Sequence, residues 1–318
     1  MRVGVPRALL FHHYGDCWIS FLEALGVEAV LSEPTSGDTV NAGVLHADNE
    51  TCLPVKVFSG HLMELKDEVD VILVPRVISQ GYGTCSCPKF LGLPDMARSL
   101  APGLPPVLSP AMDLGDRRFL WVRDWYKVGR TLGRGRFTSA AAVRSLLDSL
   151  RRHDAESGCE SRDGGALSVG VAGHFYNVND PHVSLRLVER LEGMGASALT
   201  IEQSSEREAR RHAAALPRKV YWGFEQRLAG AVLHWSRTAS VSGIIFLTSF
   251  ACGPGSFIGA LLEDELAREG SVPFMTITLD EHSAEAGLVT RLEAFTDMLR
   301  RVPGGSRTFA VPERGAGL

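Results

Sequence analysis

The chain has 318 residues, of which 45% are hydrophobic and 22% are charged, a balance typical of globular proteins rather than disordered or fibrous ones. At roughly 150 residues per domain, this length predicts two domains. A net charge of -4 at pH 7 gives no overall attraction for nucleic acid or an anionic membrane, so neither is expected as a partner.

The ends and apolar stretches of the sequence predict a cytoplasmic protein. The first residues, MRVGVPRALLFHHYG, lack the cationic segment, apolar run and cleavage site of a signal peptide. The long uncharged stretch at 238–262 is interrupted by glycines and a proline, which argues against a membrane span. Six cysteines are too few for a disulfide scaffold, so free thiols, metal ligands or redox groups are expected.

Strand and helix patterns alternate along the first half of the chain, as in parallel sheets with crossover helices. The patterns predict strands at 2–9, 27–31, 44–47 and 69–74, helices at 14–25 and 54–65, a long loop at 78–93, and a mostly helical stretch at 119–152 broken at Gly133 and Gly135.

A second alternating unit follows a polar, glycine-rich segment. The patterns predict strands at 167–171, 196–201, 243–247 and 273–279, helices at 183–194, 257–268 and 285–301, and helical stretches reaching Arg210 and Trp222. We therefore expect an α/β protein of two doubly wound, Rossmann/flavodoxin-like domains with parallel sheets facing a central cleft, plus a helical connection. The predicted divisions are an N-terminal domain at 1–153, a linker at 154–165, a C-terminal domain at 166–302 and a flexible tail at 303–318.

Three cysteines share one predicted position, after a strand and shortly before a helix. Cys52 precedes Leu-Pro, Cys87 precedes Pro-Lys, and Cys252 precedes Gly-Pro. A helix N-terminus stabilises a thiolate through its unpaired N–H groups and positive dipole, which suits the thiolate to bind metal. A shared metal site is therefore favoured over three ordinary buried cysteines.

The remaining cysteines support less specific interpretations. Cys17 and Cys159 are expected to have no functional role, whereas Cys85 is an additional ligand, one half of a redox dithiol with Cys87, or an exposed neighbour. A structural zinc site normally uses close cysteine pairs, so zinc is the weaker hypothesis. A 4Fe-4S cluster tolerates widely separated ligands, and three cysteines would leave one iron open.

Several segments carry a resemblance to a known family. They are ETCLPVKV at 50–57 with Gly60-His61, CPKFLGLPD at 87–95, Gly173-His174 with Tyr176, Asn177 and Asp180, CGP at 252–254, and LDEH at 279–282 with EAG at 285–287 and TRLEAF at 290–295. They are similar to the domain of unknown function attached to, or encoded apart from, the ATPase activases of 2-hydroxyacyl-CoA dehydratases. That domain in turn resembles the dehydratase subunits.

The resemblance implies an iron–sulfur protein. In the dehydratase subunits three cysteines hold a 4Fe-4S cluster with one open iron, and the matching residues here are Cys52, Cys87 and Cys252. The implied function is ATP-driven, low-potential electron chemistry, either reductive dehydration or reduction of a small molecule. The alternative is a non-catalytic accessory that carries electrons or clusters for a separate dehydratase.

The resemblance also implies a partner and leaves two cofactor arrangements open. A separate ATP-hydrolysing activase would supply electrons, since this chain has no G-x-x-x-x-G-K-[ST] motif and is not expected to bind nucleotide itself. A related branch holds a double-cubane cluster, which would require about six thiolates or a homodimer sharing two sets of three. The substrate, acyl-CoA or another small molecule, stays open.

Other polar residues have a functional and a structural interpretation. His282 and Glu281 would relay a proton near Cys252, or, with Asp280, would cap the helix that follows. His61 and His174 are equally ambiguous, and the segment 173–177 binds an anion or forms a turn.

Lys56 and Lys89 would bias the charge of a cluster, although surface solvation is the simpler expectation. The arginines near residue 150 are expected on a solvated helical face, and Trp121 and Trp125 in the core.

Overall fold

The computed structural model describes residues 1–81, 83–100, 103–115, 118–156, 167–269 and 272–301. Its first half contains a parallel sheet in the order β2-β1-β3-β5, beside a small parallel pair of β4 with β6. The strands are β1 (Arg2–Val5), β2 (Glu28–Leu31), β3 (Val71–Leu73), β4 (Arg76–Ser79), β5 (Val107–Leu108) and β6 (Ala111–Asp113). The side chains of the apolar run in β1 are buried, as expected for a central strand.

Six helices accompany these strands. They are α1 (Phe11–Ala24), α2 (Gly37–His46), α3 (Leu53–Leu65), α4 (Pro88–Leu100), α5 (Arg118–Thr131) and α6 (Arg136–Glu156). Helix α3 begins with Pro54 in its first turn, where a missing N–H costs nothing. Helices α5 and α6 pack on each other, and α6 packs on α1, so the predicted helical connection covers the first unit.

Two predictions in this half are wrong. Residues 44–47, expected as a strand, lie at the end of α2, because Ser36 and Thr39 form a capping box that starts a helix upstream. The loop expected at 78–93 is shorter, because strand β4 (Arg76–Ser79) extends into its first residues. Helix α4 also begins inside the expected loop, directly after Cys87.

The second half repeats the arrangement with a parallel sheet in the order β10-β9-β7-β8. Its strands are β7 (Ser168–Gly173), β8 (Ser197–Thr200), β9 (Gly243–Ser249) and β10 (Phe274–Leu279), and its helices are α7 (Phe175–Val178), α8 (Leu187–Gly193), α9 (Glu206–Ala213), α10 (Gly223–Thr238), α11 (Gly253–Glu269) and α12 (Glu285–Arg301). When the strands are numbered within each four-stranded sheet, both sheets have the order 2-1-3-4, which is the beginning of the flavodoxin-like order. The predicted α/β class with parallel, doubly wound sheets is confirmed.

The two halves share a hydrophobic core. One cluster of buried side chains includes residues of β1 and α1 together with residues of β7 and α12. Helix α1 also contacts the short helix α7. The predicted linker at 154–165 begins within α6 and otherwise lies outside the described residues, as does the predicted tail at 303–318. The domain limits therefore stay predictions.

No helix among the described residues is both long and apolar enough to cross a membrane.

Candidate functional site: a buried group of thiols

Each of the three selected cysteines lies at the start of a helix. Cys52 is the N-cap residue of α3 in an extended conformation, Cys87 directly precedes α4, and Cys252 directly precedes α11. Helix α11 begins four residues before the predicted 257, which brings its first turn next to Cys252. Cys52 follows a helix rather than the strand expected at 44–47, so only the helix-start part of its predicted position is confirmed.

Backbone N–H groups of these helices face the sulfur atoms. The N–H of Gly255 donates to Sγ of Cys252 over 3.4 Å. Hydrogen bonds from the Val55 N–H to Cys52, and from the Lys89 and Phe90 N–H groups to Cys87, act to lower the pKa of each thiol. All three sulfur atoms thus have the helix-start environment that favours a thiolate.

Burial outweighs these hydrogen bonds and brings the thiols into one electrostatic group. Burial raises the pKa of Cys252 to about 12, and the charges of Cys52, Glu225 and Cys87 add to the increase. Burial also raises the pKa of Cys87, with further contributions from Glu225 and Cys52. For Cys52, burial raises the pKa while the nearby Lys89 and Lys56 oppose the increase. The three thiols therefore lie close enough to interact, although they come from distant parts of the chain.

Tyr176 and Glu225 belong to the same group. Burial raises the pKa of Tyr176 well above its ordinary value, and the charges of Cys252, Glu225, Cys52 and Cys87 raise it further. Oε1 of Glu225 lies 3.1 Å from Nε2 of His174, and both side chains are nearly inaccessible to solvent. The His174 ring stacks on Tyr176 with centroids 5.0 Å apart. A phenol and a His–carboxylate pair therefore lie beside the thiols.

The sequence did not indicate Glu225. It stands in α10 between Phe224 and the polar pair Gln226-Arg227, a context that gives no local signal for a buried carboxylate. Tyr176 and His174 belong to the segment 173–177, for which anion binding or a turn was expected. Asn177, in the same segment, accepts a hydrogen bond of 2.8 Å from Ser249 at the end of β9, which fixes this segment beside the strand leading to Cys252.

The other cysteines lie apart from this group or outside the described residues. Cys85 is exposed, and its S–H donates to the Tyr221 carbonyl over 3.5 Å. Cys17 is buried in α1, as expected for a residue of the core. Cys159 lies outside the described residues. Cys85 and Cys87 are both free thiols.

The segment Asp280-Glu281-His282 forms a turn after β10. Oδ1 of Asp280 accepts hydrogen bonds from the His282 N–H and from Oγ of Ser283, which stabilises this turn before α12. His282 is exposed. Glu281 instead accepts a hydrogen bond of 2.5 Å from Nζ of Lys56, four residues after Cys52. The proton relay through His282 and Glu281 stays a prediction.

The expectation of a solvated Lys56 is wrong, because its side chain is 3% exposed. His61 is also buried, but it belongs to a different polar network. Its Nε2 lies 2.9 Å from Oγ1 of Thr35, which donates to Asp180 over 2.5 Å. This network joins α3 to the segment after α7.

A cavity of about 820 Å³ has Phe224 of α10 in its lining, whereas Cys52, Cys87 and Cys252 do not line it. Phe224 also packs against Phe90 and Phe175, with ring centroids 6.3 and 4.8 Å away. The volume is large enough for a small molecule.

A second group of ligand-type side chains comprises Glu208, His212 and His234, whose ligand atoms lie within 4.8 Å of one another. Two guanidinium groups surround it: Arg211 lies 3.4 Å from Nε2 of His212, and Arg237 lies 3.4 Å from its Nδ1. Because these positive charges oppose a cation, we assign no metal there.

The fold and the site define a parallel α/β protein in which three cysteines stand at helix starts, Cys252 buried and Cys52 and Cys87 half-buried. The sequence pattern of the family described as the CoA enzyme activase uncharacterised domain matches residues 2–203. Since the match covers more than half of the chain, the protein belongs to this family, which confirms the resemblance to the activase-associated domain.

The other comparisons add little. Comparison with curated proteins gives no match. Among solved structures, a LacI family transcriptional regulator from Arthrobacter sp. FB24 in complex with lactose aligns with 96% of this chain and 93% of its own, at 13% identity and a TM-score of 0.22. A similarity this weak does not bear on fold or function.

Proposed function

We propose that the protein binds a 4Fe-4S-type cluster through Cys52, Cys87 and Cys252 and uses it for low-potential electron chemistry. The observation that carries the proposal is the electrostatic proximity of three free thiols, each beside the N-terminus of a different helix. Backbone N–H groups beside cluster sulfurs are a recognised means of setting the reduction potential.

The donor set fits a cationic group. Burial and mutual repulsion keep the three thiols protonated at neutral pH when no cation is present, and Glu225 adds a further negative charge. Several positive charges must therefore enter the site before all three thiols can ionise. Iron bound as a cluster would provide those charges, whereas Lys56 and Lys89 act mainly on Cys52.

The spacing of the sulfur atoms favours a group larger than one zinc ion. Ligands 2.3 Å from one zinc in a tetrahedral site are about 3.8 Å apart. Among the described residues, the three cysteine sulfurs do not form a set within 4.8 Å of one another. In a 4Fe-4S cluster each cysteine binds a different iron, so its three sulfur atoms lie farther apart than the ligands of a single zinc ion.

The surrounding side chains are suited to moving protons during reduction. When bound, the cluster would supply a low-potential electron. Tyr176 retains its proton because its pKa is raised, so it can donate a hydrogen bond inside the site. His174 and Glu225 form an adjacent pair that can exchange a proton with a reactant.

The electron donor in this proposal is the separate ATP-hydrolysing activase that the family resemblance implies. The reaction is reductive dehydration, of an acyl-CoA if the dehydratase analogy extends that far, or reduction of another small molecule. A non-catalytic accessory role is the alternative.

The direct test is anaerobic purification followed by measurement of iron and sulfide per chain and of the electron paramagnetic resonance spectrum after reduction. About four irons and four sulfides per chain are expected, and about eight of each would instead indicate a double cubane within one chain. Replacing Cys52, Cys87 or Cys252 individually by Ser should remove the cluster, whereas Cys85→Ser should retain it. Full iron content in all three variants, or zinc in place of iron, would overturn the proposal.

A second measurement separates catalysis from an accessory role. Cyanide added to the reduced protein should change its spectrum if one iron is open to small ligands. An unchanged spectrum would favour the accessory role.

A further inference from the structure

The cavity beside Phe224 has a lining that is about half apolar and half polar. Trp121 of α5 and Leu147 and Leu150 of α6 line one part of it, and Phe224 lines another. A volume of about 820 Å³ lies within the range of small-molecule sites. The lining therefore suits a ligand with an apolar body.

Two side chains that line this cavity contain buried donors that lack a partner. Nε of Arg227 and Nε1 of Trp121 are buried and make no hydrogen bond to any described residue, but neither atom has accessible surface in the cavity. The exposed part of the Arg227 guanidinium is therefore the donor available to a ligand, since its Nη2 makes only a long bond of 3.5 Å to the Ile201 carbonyl oxygen.

The charge of the lining favours an anion. Arg151 and Arg210 also line the cavity, but each has a carboxylate nearby, Asp148 at 2.9 Å and Glu206 at 3.9 Å. Arg227 has no carboxylate within ion-pair distance in the part of the chain that the structure describes. Its positive charge is therefore not neutralised locally.

His13, another lining residue, lies in the same positive electrostatic environment. Burial holds its pKa well below the ordinary value, and the charges of His153 and Arg227 lower it further. His13 is thus neutral at pH 7 and adds a polar ring beside Arg227 without adding charge.

From these observations we propose that the cavity binds a small free carboxylic acid, as the carboxylate, through the Arg227 guanidinium, with its apolar part against Leu147, Leu150 and Phe224. The guanidinium and a carboxylate form charge-assisted hydrogen bonds, which are stronger than neutral ones. Binding itself is independent of any cluster. Only its further consequence, that the acid is a reactant, rests on the proposed function.

Isothermal titration calorimetry, with Trp fluorescence as a second readout, tests this assignment. The probe is 4-phenylbutyrate, its neutral control is 4-phenylbutyramide, and its thioester counterpart is 4-phenylbutyryl-CoA. We expect one site per chain for the carboxylate and at least tenfold weaker binding of the amide. Equal binding of acid and amide, or binding of the CoA thioester alone, would overturn the proposal.

Two variants and a control locate the ligand. Arg227→Gln should weaken carboxylate binding at least tenfold, whereas Arg218→Gln, which changes an exposed arginine that does not line the cavity, should leave it unchanged. Val122→Trp, which fills the cavity while retaining Arg227, should also weaken binding. Full affinity in both variants, with folding confirmed by circular dichroism, would contradict the assigned site.

The Cys52→Ser variant separates this inference from the proposed function. It should lose iron and still bind 4-phenylbutyrate. Iron loss without loss of binding supports both proposals, and binding by a protein that never acquires iron supports the cavity alone.

Discussion

Lys56 donates a hydrogen bond from Nζ to Oε1 of Glu281 over 2.5 Å, and this contact joins helix α3 to the turn after β10. The two residues are 225 positions apart, and Lys56 is almost fully buried. Burial alone would raise the pKa of Glu281, but hydrogen bonds and the charge of Lys56 bring it below the ordinary value. The pair therefore links the helix that carries Cys52 to the second sheet.

Lys56→Met should lower the free energy of unfolding by about 2 kcal/mol. Breaking a fully buried pair costs about 3–5 kcal/mol, and the value is smaller here because the Glu281 side chain is 17% exposed. A double-mutant cycle with Glu281→Gln, measured by urea denaturation, gives the coupling energy. Because the pKa of folded Glu281 is lowered, the coupling should be complete at neutral pH and decline as the pH falls below about 4.5.

Lys127→Met is the matched control for this cycle. Lys127 makes an exposed pair with Asp124, so its removal should cost less than about 0.5 kcal/mol. A coupling energy for Lys56 and Glu281 no larger than that of the control would show that the pair does not join the two halves energetically.

The thiols should differ strongly in alkylation rate in metal-free protein. Iodoacetamide reacts with thiolates, and a pKa of about 12 leaves Cys252 with about a thousandfold less thiolate at pH 8 than a thiol of pKa 9.0. Cys52 and Cys87 should also react slowly, since burial raises their pKa. The exposed Cys85 should be modified first.

Mass spectrometry of peptides at successive times measures these rates, and the same reaction in urea removes the effect of burial. If Cys252 reacts as fast as Cys85 in the folded protein, the thiol is more accessible than its surroundings indicate.

His13 should make the protein less stable in mild acid. Burial, with the charges of His153 and Arg227, holds its pKa well below 6.5 in the folded state. The unfolded chain therefore binds a proton that the folded chain does not, beginning near pH 6.5 and continuing until the lowered folded pKa is reached. Over that interval His13 alone should reduce the free energy of unfolding by up to about 1.4 kcal/mol per pH unit.

Urea denaturation between pH 7.5 and 5 tests this expectation with His13→Phe, which keeps an aromatic ring against Phe175. The slope of stability against pH should become shallower in this variant, while His282→Gln, at an exposed position, should leave the slope unchanged. His12 has a lowered pKa for the same main reason, burial, so part of the slope should remain.

Local sequence signals predicted the elements that carry the thiols. Pro54 marks the helix start next to Cys52, and the apolar run at 243–247 predicts the strand before Cys252, whereas the helix after Cys87 begins inside the loop predicted at 78–93. These features depend on residues within one turn or one strand. The strand predicted at 44–47 is wrong because two neighbouring apolar residues suggested a strand, whereas the capping box at Ser36 favours a helix.

The residues that complete the site depend on contacts between distant segments. Glu225 and His174 are 51 positions apart, and neither position alone indicates that both side chains become buried beside the thiols. The same applies to Lys56, which the sequence predicts as a surface residue because its contact with Glu281 forms only in the folded chain. No local pattern encodes such a pair, because its burial follows from how the two sheets and their helices pack.

The position of Cys52 also depends on close packing between α2 and α3. A Cβ added at Gly60 would lie 1.9 Å from the Thr39 carbonyl oxygen, so the two helices must separate if any larger residue stands there. Gly60→Ala should therefore destabilise the protein by about 1–3 kcal/mol and shift the helix that begins at Cys52.

Gly92→Ala provides the matched control for Gly60→Ala. It lies in α4, and a Cβ there has nothing within 4 Å, so the same substitution should be neutral or stabilising by up to about 1 kcal/mol. Urea denaturation measures both variants, and iron content after anaerobic purification shows whether the shift reaches the thiols. Equal stability of the two variants would mean that α2 and α3 are less tightly packed than their geometry indicates. Normal stability with reduced iron in Gly60→Ala would instead show that cluster binding is more sensitive than folding to the position of α3.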